Sequence, residues 1–495
     1  MNNIMFLARL LVLFSLVCIS CAHSSFEQKQ LKHALDFATS NRLELEILLQ
    51  HYTYDSLKLE AAKFLIRNMP HCYSYQQGGE MDSVKRVRTY YSPFGQIDQT
   101  YARRWGHYTY RNLPKIYDAH IITAEYLIDN IDRAFDNWQK RPWNRSLSFE
   151  DFCEYLLPYR IGDEPLEEWR ELYEKKYGYL LDSIYKGSDV VEAANLVSRH
   201  LQEPVFIYCE DFELPHIGPR YLFSHRYGSC VDAADIVTYA FRAVGIPCME
   251  DTDARGGHVW NVVRDTTGRD VPIWYIASEA VRGSRDTGGY KRGKVYRPMY
   301  GFQEEKAAHL GDDWKSMPLL FYHPYMKDVS YAYYPDTLRI LTGIPDDEVC
   351  YLAHFHEAHW WSCACARSAS GKMEIPNLES ELVYLPMKYT KGNYYPSGFP
   401  FWFAGGEINT FLPDWEKTVK VRLYRKYPVY GWLRSFMSHV VGGTFEGSMT
   451  KDFEDGKRLY EIADTPVIAR NRIFLNKPVK CRYIRYKADN DKCAE

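Results

Sequence analysis

Two residues of this chain have the types and the setting for thiol chemistry. Cys230 lies in "RYGSCVDAADIVTYAFRAVGIPC", residues 226–248, between a Gly-Ser pair and a run of helical period. His258 lies in "GGHVWNVV", directly after two glycines and at the start of an alternating run. A cysteine at the N-terminal end of a helix meets unpaired backbone N–H groups, which favour the thiolate. The same donors can steady a tetrahedral oxyanion. A neutral imidazole can take the thiol proton and later return it to a leaving amine. Such an imidazole is normally oriented by a third polar group. Glu279, after "WYIAS", fits that role best, and Asp270, at the start of the preceding strand, is the second choice. Gly228 is expected to let the backbone come close to a substrate. The competing reading is structural, with Cys230 bridged to Cys248 in an oxidising compartment.

The elements that must position these groups follow from periodicity. Ala233, Ile236, Val237, Ala240, Phe241 and Val244 form one apolar stripe, so the helix after Cys230 should pack on a sheet. Gly245 and Pro247 then stop it. "HVWNVV" alternates His258, Trp260 and Val262 against Val259, Asn261 and Val263, "DTTG" is a turn, and "VPIWYIA" is a second strand. Trp260 is assigned to the substrate side of the site. The stretch "RGSRDTGGYKRGKVYR", 282–297, holds six basic residues, one acid and four glycines. It reads as a loop on which Arg285 and Arg292 meet an acidic group of the substrate, or else as a solvated surface loop.

"YGSCVDAADIVTYAFRAVGIP" followed by "GGHVWNVV" resembles the transglutaminase-like superfamily. Its members share a G-x-C start, a helix ending in R-A-x-G-I-P and a G-H-x-W-N strand. The resemblance covers roughly residues 224–280. It implies a papain-like fold with Cys230 as nucleophile and His258 as base. The third residue of the family is usually an Asp shortly after a Trp on the next strand. Here Trp274 leads into "YIASEA", which has no Asp. The wider chain resembles exported bacterial lipoproteins that carry this core. "NRLELEILLQHY", "LKLEAAKFLIRNMP" and "FEDFCEYLLPYR" match their helical region. "GTFEGSMTKDFEDGKRLYEI" and "KCRYIRYKADNDKCAE" match a C-terminal β-sandwich of the discoidin-like, glycan-binding type. Similar sandwiches run one strand further, so the last one is expected to end short.

With 495 residues the chain is too long for one ordinary core, and the expectation is a multidomain α+β protein. The anticipated order is a lipoprotein signal peptide at 1–21, a mainly helical region at 22–185, the transglutaminase-like core at 186–325, a β-sandwich at 326–428 and a discoidin-like portion at 429–495. Near the N-terminus "LLVLFSLVCIS" is too short to span a bilayer and has the shape of an export signal. Ser20-Cys21 ends it as a lipoprotein signal would, with Cys21 lipidated, which would hold the protein to the bacterial cell envelope. The net charge of −3, from 61 basic and 64 acidic residues, gives no reason to expect nucleic acid. Outside the signal, ten cysteines show neither a framework spacing nor a CxxC pair. "HFHEAHWWSCAC", 354–365, offers ligand types for a metal, but reads as strand, turn and return strand. No cofactor and no metal is expected. The expected activity is acyl transfer through a Cys thioester, with hydrolysis of peptide or amide bonds in a peptide, protein or glycopeptide. The alternative is an inactive cell-surface protein that binds glycans or peptides through its sandwiches and assists polysaccharide use.

Overall fold

A computed structural model describes residues 26–91, 110–208, 214–254, 257–274, 276, 278–284, 291–303, 317–341, 344–356, 359–414, 416–417, 440–466, 471–475 and 477–488. The N-terminal region is helical where its apolar spacing is helical. It contains α1 (26–37), α2 (Arg42–His51), α3 (Ser56–Asn68), α4 (Gly79–Tyr91), α5 (Ala124–Lys140) and α6 (Phe149–Tyr155). Side-chain caps start three of these helices: Asp55 accepts from Lys58 N, Thr123 from Tyr126 N, and Ser148 from Asp151 N. Leu45, Leu48, Leu65, Leu127, Ile131 and Phe152 share one buried core. A short antiparallel ladder, β1 (Tyr73–Tyr75) with β2 (Lys115–Tyr117), interrupts the helices.

"EPLEEWRELYEKKY" reads as helix from its start, but α7 begins only at Arg170 and runs to Tyr179. The preceding residues are held in a loop by Glu164, whose carboxylate accepts from the backbone N–H of Ile161 and Gly162. Those two bonds compete with helix formation. The chain continues through α8 (Val190–His200), β3 (Ile207–Tyr208), α9 (Pro219–Ser224) and β4 (Tyr227–Gly228) to α10 (Cys230–Ala243). Four antiparallel partnerships then build a five-stranded sheet from β5 (Cys248–Asp253), β6 (Val259–Arg264), β7 (Asp270–Ile273), β8 (Val295–Pro298) and β9 (Met326–Asp328), in the order β7-β6-β5-β8-β9. The apolar stripe of α10 packs on Cys248, Val263, Val271 and Ile273 of this sheet.

The N-terminal region also holds the far end of α10. Asn137 donates to Ala243 O at 3.1 Å, Arg141 to Val244 O at 2.8 Å, and Trp143 and Asn144 each to Gly245 O at 2.9 Å. Gly245 has φ +82°, and a Cβ there would meet Asn137 O at 2.8 Å, so both conformation and space require glycine.

Beyond a short helix α11 (Leu319–Tyr322) the chain is β-rich. β10 (Leu338–Leu341) pairs with β13 (Lys372–Ile375). A six-stranded sheet joins β11 (Val349–His356), β12 (His359–Arg367), β14 (Leu382–Thr390), β15 (Asn393–Pro396), β16 (Phe401–Ala404) and β17 (Glu407–Thr410). Leu338 and Met373 of the smaller sheet share a core with Leu352, Cys363, Tyr384 and Phe403 of the larger one, which makes a two-layer arrangement. The expected hairpin at 354–365 is present as β11 and β12. The chain divides into two compact units, and the larger one ends at Phe411. The boundaries anticipated at 185 and 325 fall inside it, and β9 of the core sheet lies past 325. In the smaller unit β18 (Thr444–Ser448) is flanked by β19 (Lys457–Glu461) and β20 (Tyr483–Lys487). Among the described residues no helix is long and apolar enough to cross a membrane.

Candidate active site

Cys230 is the first residue of α10, as the helical period after it requires. Ser229 caps the helix in a reciprocal box with Asp232: the Ser229 side chain accepts from the Asp232 backbone, and Asp232 Oδ2 accepts from Ser229 N at 2.7 Å. A bare carboxylate in the first turn would repel a thiolate on Cys230. Arg88 of α4 removes that penalty, since its Nη2 lies 3.0 Å from Asp232 Oδ2 and both side chains are buried. Its guanidinium also lies over the Tyr227 ring, 5.5 Å from the centroid. A Cβ on Gly228 would overlap the Asp232 carboxylate. Gly228 is therefore small to admit the capping carboxylate, and the expected close approach to substrate is not the reason the structure gives for it.

His258 stands one residue before β6 and opposite the end of β5. Its carbonyl accepts from Asp253 N at 3.3 Å and from Thr252 Oγ1 at 3.0 Å. The β6 strand is fastened to α10 by Asn261, whose Nδ2 donates to Ala234 O at 3.0 Å and to Thr238 Oγ1 at 2.9 Å. That clamp sets the helix carrying Cys230 against the strand carrying His258. The two residues line one narrow crevice, with about 10 Å³ of free space, together with Tyr208, Trp260, Trp274 and Ile276. Both are half-buried. The His258 ring stacks on Trp260 with centroids 5.7 Å apart. Trp260 is itself fixed, donating from Nε1 to Tyr333 Oη at 2.9 Å, and Tyr333 in turn donates to Asp251 at 2.6 Å.

The carboxylates considered for the third position lie elsewhere. Glu279 is at the surface and pairs with Arg199 at 2.9 Å. Asp270 is buried in an ionic network, accepting from Tyr155 at 3.0 Å and pairing with Arg297 at 2.7 Å and Arg264 at 3.2 Å. Neither lines the crevice. Asp253 is the carboxylate that sequence reasoning passed over. It is buried, and its Oδ1 accepts from Gly257 N at 2.9 Å, which orders the turn before His258. Because Thr252 pairs with Val259, Asp253 and His258 are cross-strand neighbours whose side chains leave the ladder on one face. The signal was present in "DTDARGGH", where an Asp precedes the two glycines.

Arg292, expected on a surface loop, is fully buried. Its guanidinium lies 4.8 Å from the Trp260 ring and 5.0 Å from the Trp274 ring, and Glu379 holds its backbone N at 2.6 Å. Stacking on two indoles gives a cation a buried place that charge counting does not anticipate. Arg285 and Cys21 lie outside the described residues. No disulfide joins Cys230 to Cys248. Cys248 is buried behind α10, with Thr238 Oγ1 4.0 Å from its sulfur, so the bridge of the competing structural reading is absent. Burial pushes the Cys248 thiol up to about 12, which leaves it unreactive.

Among the described residues no three His, Cys, Asp or Glu side chains are arranged to hold a metal ion, those of the 354–365 hairpin included. No family model, no curated protein and no solved structure matches the chain.

Proposed function

We propose that this protein is an exported, thiol-dependent acyl-transfer enzyme of transglutaminase-like type that hydrolyses peptide or amide bonds. The observation that carries this reading is the meeting of Cys230, at a capped helix start, with His258 in one crevice. The Cys230 proton passes to His258 and the thiolate attacks the substrate carbonyl carbon. The tetrahedral oxyanion faces the N–H groups of the first turn of α10. The C–N bond then breaks, the leaving amine takes the proton from His258, and a thioester remains on Cys230. His258 next removes a proton from water, the hydroxide attacks the thioester, and carboxylic acid and free thiol are released. Asp253 takes the orienting place beside His258, and Trp260 and Trp274 wall the acyl side. Cys21 would carry the lipid that tethers the enzyme to the envelope.

Iodoacetamide labelling across pH tests the central step. Alkylation of Cys230 that is fast below pH 7 and slowed in His258→Ala supports the thiolate–imidazolium pair. An alkylation rate that follows an ordinary thiol near pH 8.5, unchanged by His258→Ala, defeats it.

A second reading, a surface glycan binder, is favoured by one feature of the larger β-unit. Tyr395, Phe399 and Trp402 of the β15–β16 region are 48%, 51% and 39% exposed, and aromatic rings at a surface suit sugar faces. A glycan array probed with wild-type protein and with Trp402→Ala distinguishes this from a surface with no ligand.

A further inference from the structure

The helix that starts with Cys230 also borders a second cavity besides the crevice. Val231 and Arg242 of α10 line this cavity of about 370 Å³, a size usual for small-molecule sites, about 300–1,000 Å³, and Asp235 and Thr238 of the same helix bond to two further lining residues, His216 and Glu250. Glu250 of β5 is 8% exposed and lines this cavity. Its Oε1 accepts from Thr238 at 2.7 Å, and its Oε2 has no hydrogen-bond partner among the described residues.

The charges around the cavity do not balance. Arg160 is taken by Asp118 at 2.5 Å and Glu164 at 3.6 Å, and Asp251 by Arg297 at 2.5 Å. His216 faces Asp235 at 2.9 Å. Glu154, Asp163 and Glu250 remain, Asp163 beside His216 and Glu154 and Glu250 near the guanidinium of Arg242. That cation donates to the carbonyls of Cys248, Arg160 and Glu154 and to Met249 Sδ, so it forms no ion pair with any of the three. Among the described residues Glu154 and Asp163 each accept only backbone N–H groups, from Tyr300 and Gly301 and from His216. Met249, Met299, Ile161 and Val259 supply apolar wall between these groups. The donor set does not converge as a metal site would, which leaves an organic cation as the complementary ligand.

We propose that this cavity binds an alkylammonium group, with the nitrogen at Glu250 and Asp163 and the carbon chain along Met249, Met299 and Val259. The site is independent of any chemistry at Cys230. The source of the cation is either a free amine or a lysine side chain, which have the same head and tail. Two further facts accord with it. Burial holds the Glu250 carboxyl up at about 8 and the Glu154 carboxyl up at about 7, so at pH 7 Glu250 is mostly protonated and Glu154 about half so until a cation arrives.

Calorimetry on the whole chain tests the proposal with n-butylammonium, Nα-acetyl-lysine methylamide, butyrate and n-butanol. Saturable binding of either cationic probe, with neither butyrate nor butanol bound, is the expected result. The tighter of the two cations identifies the source. Binding at pH 7 in buffers of different ionisation enthalpy should release up to about one proton as Glu250 ionises. Glu250→Gln, close in shape to the native side chain, should weaken the cation by about tenfold or more, the worth of a hydrogen bond to a charged group. A circular dichroism spectrum matching wild type confirms that the variant is folded, and Asp163→Asn provides a second variant. Absence of binding by both cations, or binding of butyrate in their place, overturns the proposal. So does cation binding that releases no proton and is indifferent to both variants.

Discussion

Two polar sites share one helix, and they are built on opposite principles. At the crevice, the groups that matter meet at the start of α10 and are spaced by backbone features: a capping box, a cross-strand pair and a turn ordered by Asp253. At the cavity, the groups come from the loop around 160, from residue 216, from β5 and from Arg242 near the end of α10. The crevice has almost no free space, whereas the cavity holds about 370 Å³. On the proposed roles, the nucleophile needs only a few fixed neighbours, while the cation needs a wall assembled from distant segments.

The sharpest way to break the contrast is at the crevice. His258→Ala should slow Cys230 alkylation at pH 6.5 by about 10²–10⁴-fold, the usual worth of a positioned base. If the rate is unmoved, the crevice is only a packing gap. Next comes the support of the helix start. Arg88→Met leaves Asp232 buried without its cation, and chemical denaturation should report a loss of about 3–5 kcal/mol. A loss that small surface changes would give, about 0.5 kcal/mol, would show that Asp232 needs no such partner.

Of smaller effect is the choice among carboxylates. Asp253→Asn should lower alkylation about tenfold and shift its pH profile upward, while Glu279→Gln, a surface change, should leave both as they are. The reverse pattern would return the orienting role to Glu279. The mildest test concerns the cavity. Burial raises Glu250, Glu154 and Asp235, the last to about 6, so the folded state holds protons that the unfolded state has lost. For His216 burial acts the other way, but the Asp235 carboxylate prevails and raises it well above its usual value, with the same consequence. Folding stability should therefore fall as pH rises from about 4, where the unfolded carboxyls ionise, to about 8, where Glu250 does in the folded state, and the fall should be shallower in Glu250→Gln. A midpoint of thermal unfolding that is flat with pH in wild type would contradict the burial of these acids.

Local chemistry was readable and distance was not. The period of α10, the alternation of β6 and the hairpin of β11 and β12 are statements about near neighbours, and the structure has each of them. Arg88 meets Asp232 across 144 residues, and no spacing announces that. The late start of α7 came from a competing side chain, Glu164, whose backbone bonds hold the loop. Arg292 misled for a different reason. A run of basic residues is usually solvated, and only the fold could place two indoles around one of them. The cavity left no mark in the sequence because His216, Asp235 and Glu250 each look ordinary in their own surroundings.

The grip of the N-terminal region on both ends of α10 bears on how such a protein could be inherited or cut. Arg88 secures the beginning of the helix, and Asn137, Arg141, Trp143 and Asn144 secure its end. A recombination event or a protease that severed the chain near 185 would separate the helix from all five. The stretch that carries Cys230 and His258 is thus not a portable cassette. It can be passed on, expressed or transplanted only with the helices that precede it.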